Sequence, residues 1–169
     1  VCQGTDVQLG QLPPIARAGY AVYTFNYPLA PEDRFPTALL TTLRAMSFLC
    51  TERGYDEISL LGESAGGNLV TLAAVYATNR ELLVRLNDDL PTDHPDKDEM
   101  LSWELPLVSC VVSWYSILDA HSWRTFSSPS HAGRNENDDD SWLFLGLQKV
   151  WELYVSETGV AGNRVTLCQ

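Results

Sequence analysis

The sequence predicts an α/β fold with a parallel sheet, and three observations support this prediction. Segments typical of strands alternate with segments whose apolar residues recur at helical spacing. One strand-like segment, Leu107 to Tyr115, is a nearly continuous apolar run, as in a central parallel strand. The resulting order of strand, helix, strand, helix, strand, helix is that of consecutive βαβ units.

The first part of the chain contains two of the predicted strands. Tyr20 to Asn26 is rich in aromatic and β-branched residues and follows a glycine, which favours a strand. Prolines at positions 28, 31 and 36 then interrupt regular structure. From Thr37 to Arg53 the apolar residues recur at helical spacing, and Gly54 follows where a helix would stop. Glu57 to Leu61 is a short second strand that ends at a glycine.

The second part begins with a helix from Ser64 to about Asn79, whose small and apolar residues predict burial against a sheet. Residues 86–104 are polar, acidic and proline-containing, which predicts a long loop. After the strand at 107–115, a second long loop is expected over 116–140. The last predicted helix, 142–155, has four apolar residues on one face, namely Phe144, Leu147, Trp151 and Tyr154.

The charge of the chain disfavours two classes of partner. There are 11 basic and 22 acidic residues, a net charge of −11, whereas nucleic acids and anionic membranes require clustered Lys and Arg. Much of the acid lies in two runs, 88–99 and 136–140, which are interpreted as solvated loops because neither has the spacing of a calcium loop. No apolar run is long enough to span a membrane, and no signal peptide is visible, although the chain opens on Val1.

The cysteines indicate neither a metal site nor a disulfide framework. Cys2, Cys50, Cys110 and Cys168 are far apart, and none forms a Cys-x-x-Cys pair. Cys50 and Cys110 lie in apolar segments, which predicts buried free thiols. A reducing compartment, and with it a cytoplasmic location, is the default expectation.

The segment Gly62-Glu63-Ser64-Ala65-Gly66 lies where a predicted strand gives way to a helix, which is the context of a nucleophile elbow. In such an elbow Ser64 occupies a tight turn with strained backbone dihedrals. Glycines two residues to either side avoid the collisions that side chains would make there. The hydroxyl then lies at a helix N-terminus, where the N–H of Ala65 can stabilise an oxyanion. A glycine-rich turn of a binding domain is the alternative, and a phosphate-binding loop is disfavoured because no lysine follows Gly67.

The motif Gly62-Glu63-Ser64-Ala65-Gly66-Gly67-Asn68-Leu69 closely resembles that of the hormone-sensitive-lipase-like branch of the α/β-hydrolases. Two further segments resemble this family, Asn26-Tyr27-Pro28-Leu29-Ala30-Pro31-Glu32 with Phe35-Pro36, and Ser127-Ser128-Pro129-Ser130. The chain departs from the family at Asn26-Tyr27-Pro28, where Asp-Tyr-Arg is usual, and at Glu63, where Asp is usual.

The resemblance implies a partial α/β-hydrolase fold, a parallel sheet flanked by helices without the N- and C-terminal strands. Residues 1–169 would form one partial domain, with its core in 1–85 and 105–118 and a loop and cap-side region in 119–156. The segments 20–26 and 57–61 resemble the family's fourth and fifth strands. Since the third strand lies between them in the family, we expect a gap in the sheet and a fragment of a larger enzyme.

The same resemblance implies that parts of the catalytic machinery lie outside the chain. The His-Gly-Gly-Gly-type oxyanion loop would precede Val1, and the triad acid and histidine would follow Gln169. His94 is expected to be solvated, and His121 and His131 lie in a loop outside the family's triad region. Asp119 follows an apolar strand, but a structural loop role is expected for it.

These observations predict a serine carboxylic-ester hydrolase that acts on a small-molecule ester through an acyl-enzyme, with no metal or organic cofactor. Ser64 is the nucleophile, Ala65 contributes its N–H to the oxyanion hole, and Gly62, Glu63, Gly66 and Gly67 form the elbow. Two alternatives remain, a non-catalytic, receptor-like ligand-binding protein and a peptidase or amidase. Two alternative roles are expected for Trp114, Trp123 and Trp142, namely lining an acyl pocket or packing in the core. The oligomeric state is not predicted.

Overall fold

The computed structural model describes residues 12–119 of the chain. Its elements are four α-helices, one 3-10 turn and two strands. They are α1 (Leu12–Arg17), α2 (Thr37–Thr51), β1 (Glu57–Glu63), α3 (Ala65–Thr78), α4 (Arg80–Asp89), a 3-10 turn (Glu99–Ser102) and β2 (Leu107–Trp114). Several features of the sequence analysis lie outside the described residues. They are the predicted helix at 142–155, most of the loop at 116–140, His121, His131, Trp123, Trp142, Cys2 and Cys168.

The two strands pair in parallel, as predicted, with α3 in the connection between them. Glu57 lies opposite Leu107 at one end, and Glu63 lies opposite Trp114 at the other. The register shifts once, between Ile58 and Ser59. A parallel pair requires a crossover connection, and here the crossover begins with the helix that follows Ser64. The predicted α/β class is therefore confirmed.

Helix α3 packs against both strands and against the neighbouring helices α2 and α4. Leu69 and Ala73 are its fully buried apolar residues. Around them lies a core from α2, α4 and the segment that follows α4, consisting of Ala38, Leu39, Leu40, Leu43, Met46, Leu83, Leu86, Leu90 and Met100. The predicted helices at 37–53 and 64–79 are confirmed. Their apolar residues meet because each helix places them on one face.

Helix α2 ends at the glycine that the sequence indicated. Gly54 has a φ of 69°, a left-handed conformation that glycine adopts without a steric penalty. Its amide donates to the carbonyl of Cys50 at 3.1 Å, and the Tyr55 amide donates to that of Leu49 at 3.1 Å. These bonds satisfy carbonyls that the end of a helix leaves without partners.

The strand predicted at 20–26 does not form within the described residues. The segment pairs with neither β1 nor β2, and Tyr20, Tyr23 and Phe25 are 67%, 46% and 43% exposed. A strand acquires its backbone hydrogen bonds from a neighbour, so β-propensity alone does not produce one.

The prediction of a long loop over 86–104 holds for 90–98 and is wrong near both ends of the segment. Helix α4 extends to Asp89, and a 3-10 turn follows at Glu99–Ser102. Asn79 caps α4, because its side-chain oxygen accepts a hydrogen bond from the Leu82 amide at 3.2 Å. Within the same segment Leu90 and Met100 are buried in the core. The high density of acidic residues concealed these apolar positions.

The acidic run at 88–99 is held to the core rather than fully solvated. The carboxylate of Asp96 is 11% exposed and pairs with Arg44 of α2, whose guanidinium also lies 5.4 Å from the ring centre of Trp103. Lys97 donates to the carbonyls of Asn87 and Leu90 at 3.0 and 2.7 Å, where α4 ends. A cation at a helix C-terminus satisfies orphan carbonyls and opposes the negative end of the helix dipole.

The histidine of this run, His94, was expected to be solvated, and that prediction is also wrong. Its side chain is 18% exposed. Its Nδ1 accepts a hydrogen bond from the Asp96 amide at 3.1 Å. The imidazole ring is thus hydrogen-bonded to the backbone of the loop that carries it.

The face of the sheet opposite α3 is open within residues 12–119. Val112 and Trp114 are 45% and 54% exposed, and Leu61 on the neighbouring strand is 40% exposed. Cys110 is an exposed free thiol, contrary to the expectation of burial, while Cys50 is half-buried. Strand β2 therefore lacks the cover on both faces that its apolar run predicts.

Two half-buried tyrosines pack against the core. Burial raises the pKa of Tyr27 and of Tyr76 above the usual value, and the Asp89 carboxylate contributes a smaller increase at Tyr76. Both causes disfavour the phenolate. Of the helices among residues 12–119, none combines the length and apolar character that crossing a membrane requires.

Candidate active site

The backbone hydrogen bonds between β1 and β2 continue as far as Ser64. Strand β1 ends at Glu63, and the Ser64 amide donates to the carbonyl of Trp114, the last residue of β2, at 2.8 Å. Ser64 itself has φ 53° and ψ −117°, and α3 begins at the next residue. A positive φ is uncommon for a serine and costs free energy, so the neighbouring structure must impose it. This is the sharp strand-to-helix turn that the motif predicts.

The turn brings the backbone of the first turn of α3 against Gly62. A Cβ on Gly62 would lie 2.5 Å from the Gly66 carbonyl carbon and 2.7 Å from the Gly67 nitrogen, and closer still to the Gly66 oxygen. Each of these neighbours is a backbone atom, so none can rotate away. Glycine is therefore required at position 62, as the sequence predicts.

The steric reason predicted for Gly66 is wrong, and the second crowded glycine is Gly67. A Cβ on Gly66 would meet nothing within 4 Å among the described residues. A Cβ on Gly67 would overlap the Ser116 hydroxyl and would lie 3.0 Å from the Ser113 hydroxyl and from the Gly62 carbonyl oxygen. Gly66 contributes its carbonyl to the contact with Gly62, and any residue type supplies a carbonyl.

The hydroxyl of Ser64 is accessible. Ser64 and Ala65 are both exposed, and the Ser64 hydroxyl makes no hydrogen bond within residues 12–119. Ala65 is the first residue of α3, and the first amides of a helix have no acceptor within the helix. These amides, with the positive end of the helix dipole, can stabilise negative charge that develops next to Ser64.

A turn at the end of β2 packs against α3, and the sequence analysis did not identify it. Ser113 donates from its hydroxyl to the Gly67 carbonyl at 3.1 Å and also contacts the Ser116 hydroxyl. Asn68 donates from its side-chain amide to the carbonyl of Ile117 at 2.7 Å. A signal was present in the sequence, because hydroxyl residues in an apolar strand and an asparagine in a first helical turn both require partners.

Residues 12–119 contain the candidate nucleophile, Ser64, but no histidine that hydrogen-bonds to it. Their only histidine is His94, which lies between α4 and the 3-10 turn and is engaged with Asp96. Asp119 is exposed at the end of the described chain, and Glu63 is half-buried next to Ser64. Among residues 12–119 the structure thus brings together Ser64, Ala65 and the elbow glycines.

A parallel sheet that leads through a strained serine into a helix defines the class of α/β-hydrolase folds. The sequence model of a family described as having the alpha/beta hydrolase fold matches residues 13–168, and the chain belongs to that family. A protein of Acanthamoeba polyphaga mimivirus, whose name describes it as an alpha/beta hydrolase, is 28% identical over 71 residues. This match covers 39% of the present chain and 20% of the viral protein, so the chain spans about a fifth of that relative. No solved structure matches the chain significantly.

Proposed function

We propose that the chain carries the nucleophile of a carboxylic ester hydrolase similar to the hormone-sensitive-lipase-like esterases. The observation that carries this proposal is the conformation of Ser64, with φ 53° at an exposed junction between β1 and α3. A structural turn with no catalytic task would favour glycine at such a φ, since glycine adopts it without strain. A serine at this position is best explained by the use of its hydroxyl.

In the proposed reaction the Ser64 oxygen attacks the ester carbonyl carbon while a histidine base accepts the hydroxyl proton. That histidine, and the acid that orients it, are assigned to positions outside residues 12–119. The carbonyl oxygen becomes an oxyanion and accepts a hydrogen bond from the Ala65 amide, which forms part of the oxyanion hole. The intermediate expels the alcohol, which takes the proton from the histidine, and water then hydrolyses the acyl-enzyme.

The remaining residues of the elbow have positional roles in this proposal. Gly62 and Gly67 permit the close approach of strand, helix and following turn, and Glu63 is the last strand residue before the nucleophile. The substrate is a small-molecule ester, and the mechanism uses no metal or organic cofactor. The partial-domain organisation expected from the sequence, with cap-side residues in 119–156, is retained as part of the proposal.

The direct test is covalent labelling with an alkyl fluorophosphonate, followed by mass-spectrometric mapping of the modified residue. In protein that also contains the triad acid and histidine, we expect a modification on Ser64, loss of it in Ser64→Ala, and unchanged labelling in Ser59→Ala. Ser59 is a matched control because it is an exposed serine on β1, the strand that leads to Ser64. Folded protein that contains the triad acid and histidine as well as this chain, and that remains unlabelled, would reject the catalytic proposal and favour a receptor-like binding protein. Labelled protein that hydrolyses amides faster than matched esters would instead indicate an amidase.

A further inference from the structure

The turn that follows β2 lies immediately beside the nucleophile. Because the Ser64 amide donates to the Trp114 carbonyl at 2.8 Å, the amide of Tyr115 lies within about 5 Å of that of Ser64. Tyr115 has a φ of 37°, so the chain turns sharply at this residue. The side chains of Tyr115 and Leu118 are 68% and 53% exposed. The turn therefore exposes two apolar side chains on a segment whose first residue adjoins Ser64.

A strained turn keeps one position only if the surrounding contacts hold it. Two hydroxyls, those of Ser113 and Ser116, fill the space above the bare Cα of Gly67. Neither hydroxyl forms a hydrogen bond with Ile117 or Leu118, which make up the second half of the turn. That half is held by the 2.7 Å hydrogen bond from the Asn68 side chain to the Ile117 carbonyl. Asn68 thus joins the nucleophile helix to the part of the turn that carries Leu118.

We infer that Asn68 is a positioning residue for the ester-binding site. It fixes the turn 115–118 against the first turn of α3, so that Tyr115 and Leu118 form an apolar wall beside Ser64. This inference rests on the proposed function and deepens it, because such a wall selects esters with an apolar acyl or alkyl chain. Asn68 acts through the turn and takes no part in bond making.

The test compares Asn68→Asp with Thr71→Val. Aspartate has nearly the shape of asparagine, but its carboxylate oxygen cannot donate to the Ile117 carbonyl. The matched control removes another hydrogen bond of the same helix, since the Thr71 hydroxyl donates to the Gly67 carbonyl at 2.8 Å and does not bind the turn. Both variants carry one small change in α3.

Labelling kinetics with a long-chain alkyl fluorophosphonate separate positioning from stability. We expect Asn68→Asp to raise the half-saturating probe concentration about tenfold, with a limiting rate within twofold of wild type, and Thr71→Val to change neither. A variant that is merely less folded would lower the labelled fraction and leave the half-saturating concentration unchanged. That result, or identical kinetics for the two variants, would overturn the inference.

A second measurement does not depend on activity. Chymotrypsin cleaves after exposed aromatic residues, so cleavage after Tyr115, mapped by mass spectrometry, reports how firmly the turn is held. We expect Asn68→Asp to be cleaved there several-fold faster than wild type and Thr71→Val. Equal cleavage rates would overturn the inference. If wild-type protein is unlabelled, the proposed function fails, and the cleavage comparison still decides whether Asn68 holds the turn.

Discussion

Replacing Gly62 by alanine tests the geometry of the elbow more directly than any change at Ser64. The added Cβ would lie 2.5 and 2.7 Å from two backbone atoms of the facing helical turn, whereas ordinary carbon contacts are about 3.5–4.0 Å. Strand and helix must therefore separate by about 1 Å. Overpacking of this kind costs about 1–3 kcal/mol, and we expect the upper end because every contacted atom is backbone. The separation also pulls Ser64 away from its carbonyl partner on β2.

Gly66→Ala is the matched control, because it adds the same methyl group two residues beyond Ser64. Its Cβ meets nothing within 4 Å among the described residues, and alanine is favoured over glycine in a helix by about 0.5–1 kcal/mol. We therefore expect the two substitutions to have opposite signs and to differ by about 3–4 kcal/mol in free energy of unfolding.

Urea denaturation followed by circular dichroism measures the free energy of unfolding of both variants under the same conditions. For a chain of this size, 1 kcal/mol corresponds to about 2–4 °C in Tm, so thermal melts should separate the two variants by about 6–16 °C. Equal destabilisation by the two alanines would refute the steric argument, and so would a Gly62→Ala chain as stable as wild type. Either outcome would mean that strand and helix are not in the contact described here.

Two further predictions concern the core and the pH dependence of stability. Arg44→Met should lower the free energy of unfolding by about 1–2 kcal/mol, because it leaves the nearly buried Asp96 carboxylate without its cation. The exposed control Arg85→Met should cost less than about 0.5 kcal/mol, and urea melts that show equal losses would contradict this reasoning. Burial raises the pKa of Tyr76 in the folded state, so its contribution is complete below pH 10 and is lost as the pH rises further. Urea melts at pH 8 and pH 10.5 should therefore show a smaller alkaline loss in Tyr76→Phe than in wild type, and equal losses would contradict the assignment.

The features that were predicted correctly are those set by neighbours in sequence. The elbow at Ser64 requires a strand, a serine between glycines and a helix, and all of these lie within a short segment. Helix α2 was recognisable because its apolar spacing and its stop at Gly54 are both local signals. The requirement for glycine at position 62 likewise follows from the shape of one turn.

The errors concern contacts between distant parts of the chain. Tyr20 to Asn26 has the composition of a strand, yet pairing depends on a neighbour that this segment alone cannot specify. The acidic composition of 86–104 concealed Leu90 and Met100, whose burial depends on α2 and α3 being in place. The role of Gly67 could not be derived from the motif, because the residue that it accommodates, Ser116, follows the next strand.

The single register shift in the sheet has a consequence for how the length of β1 can vary. It lies between Ile58 and Ser59, at the end of the strand remote from Ser64. The shift leaves Ser109 of β2 unpaired, so an extra residue of β1 at this point can be taken up by pairing with it. Between Ser59 and Glu63 every residue already has a partner on β2, so an extra residue cannot be accommodated there. It would move Ser64 by about 3.3 Å and turn its side chain towards the other face of the sheet. Related chains should therefore vary in length before β1 and keep a constant count of residues from Ser59 to the nucleophile.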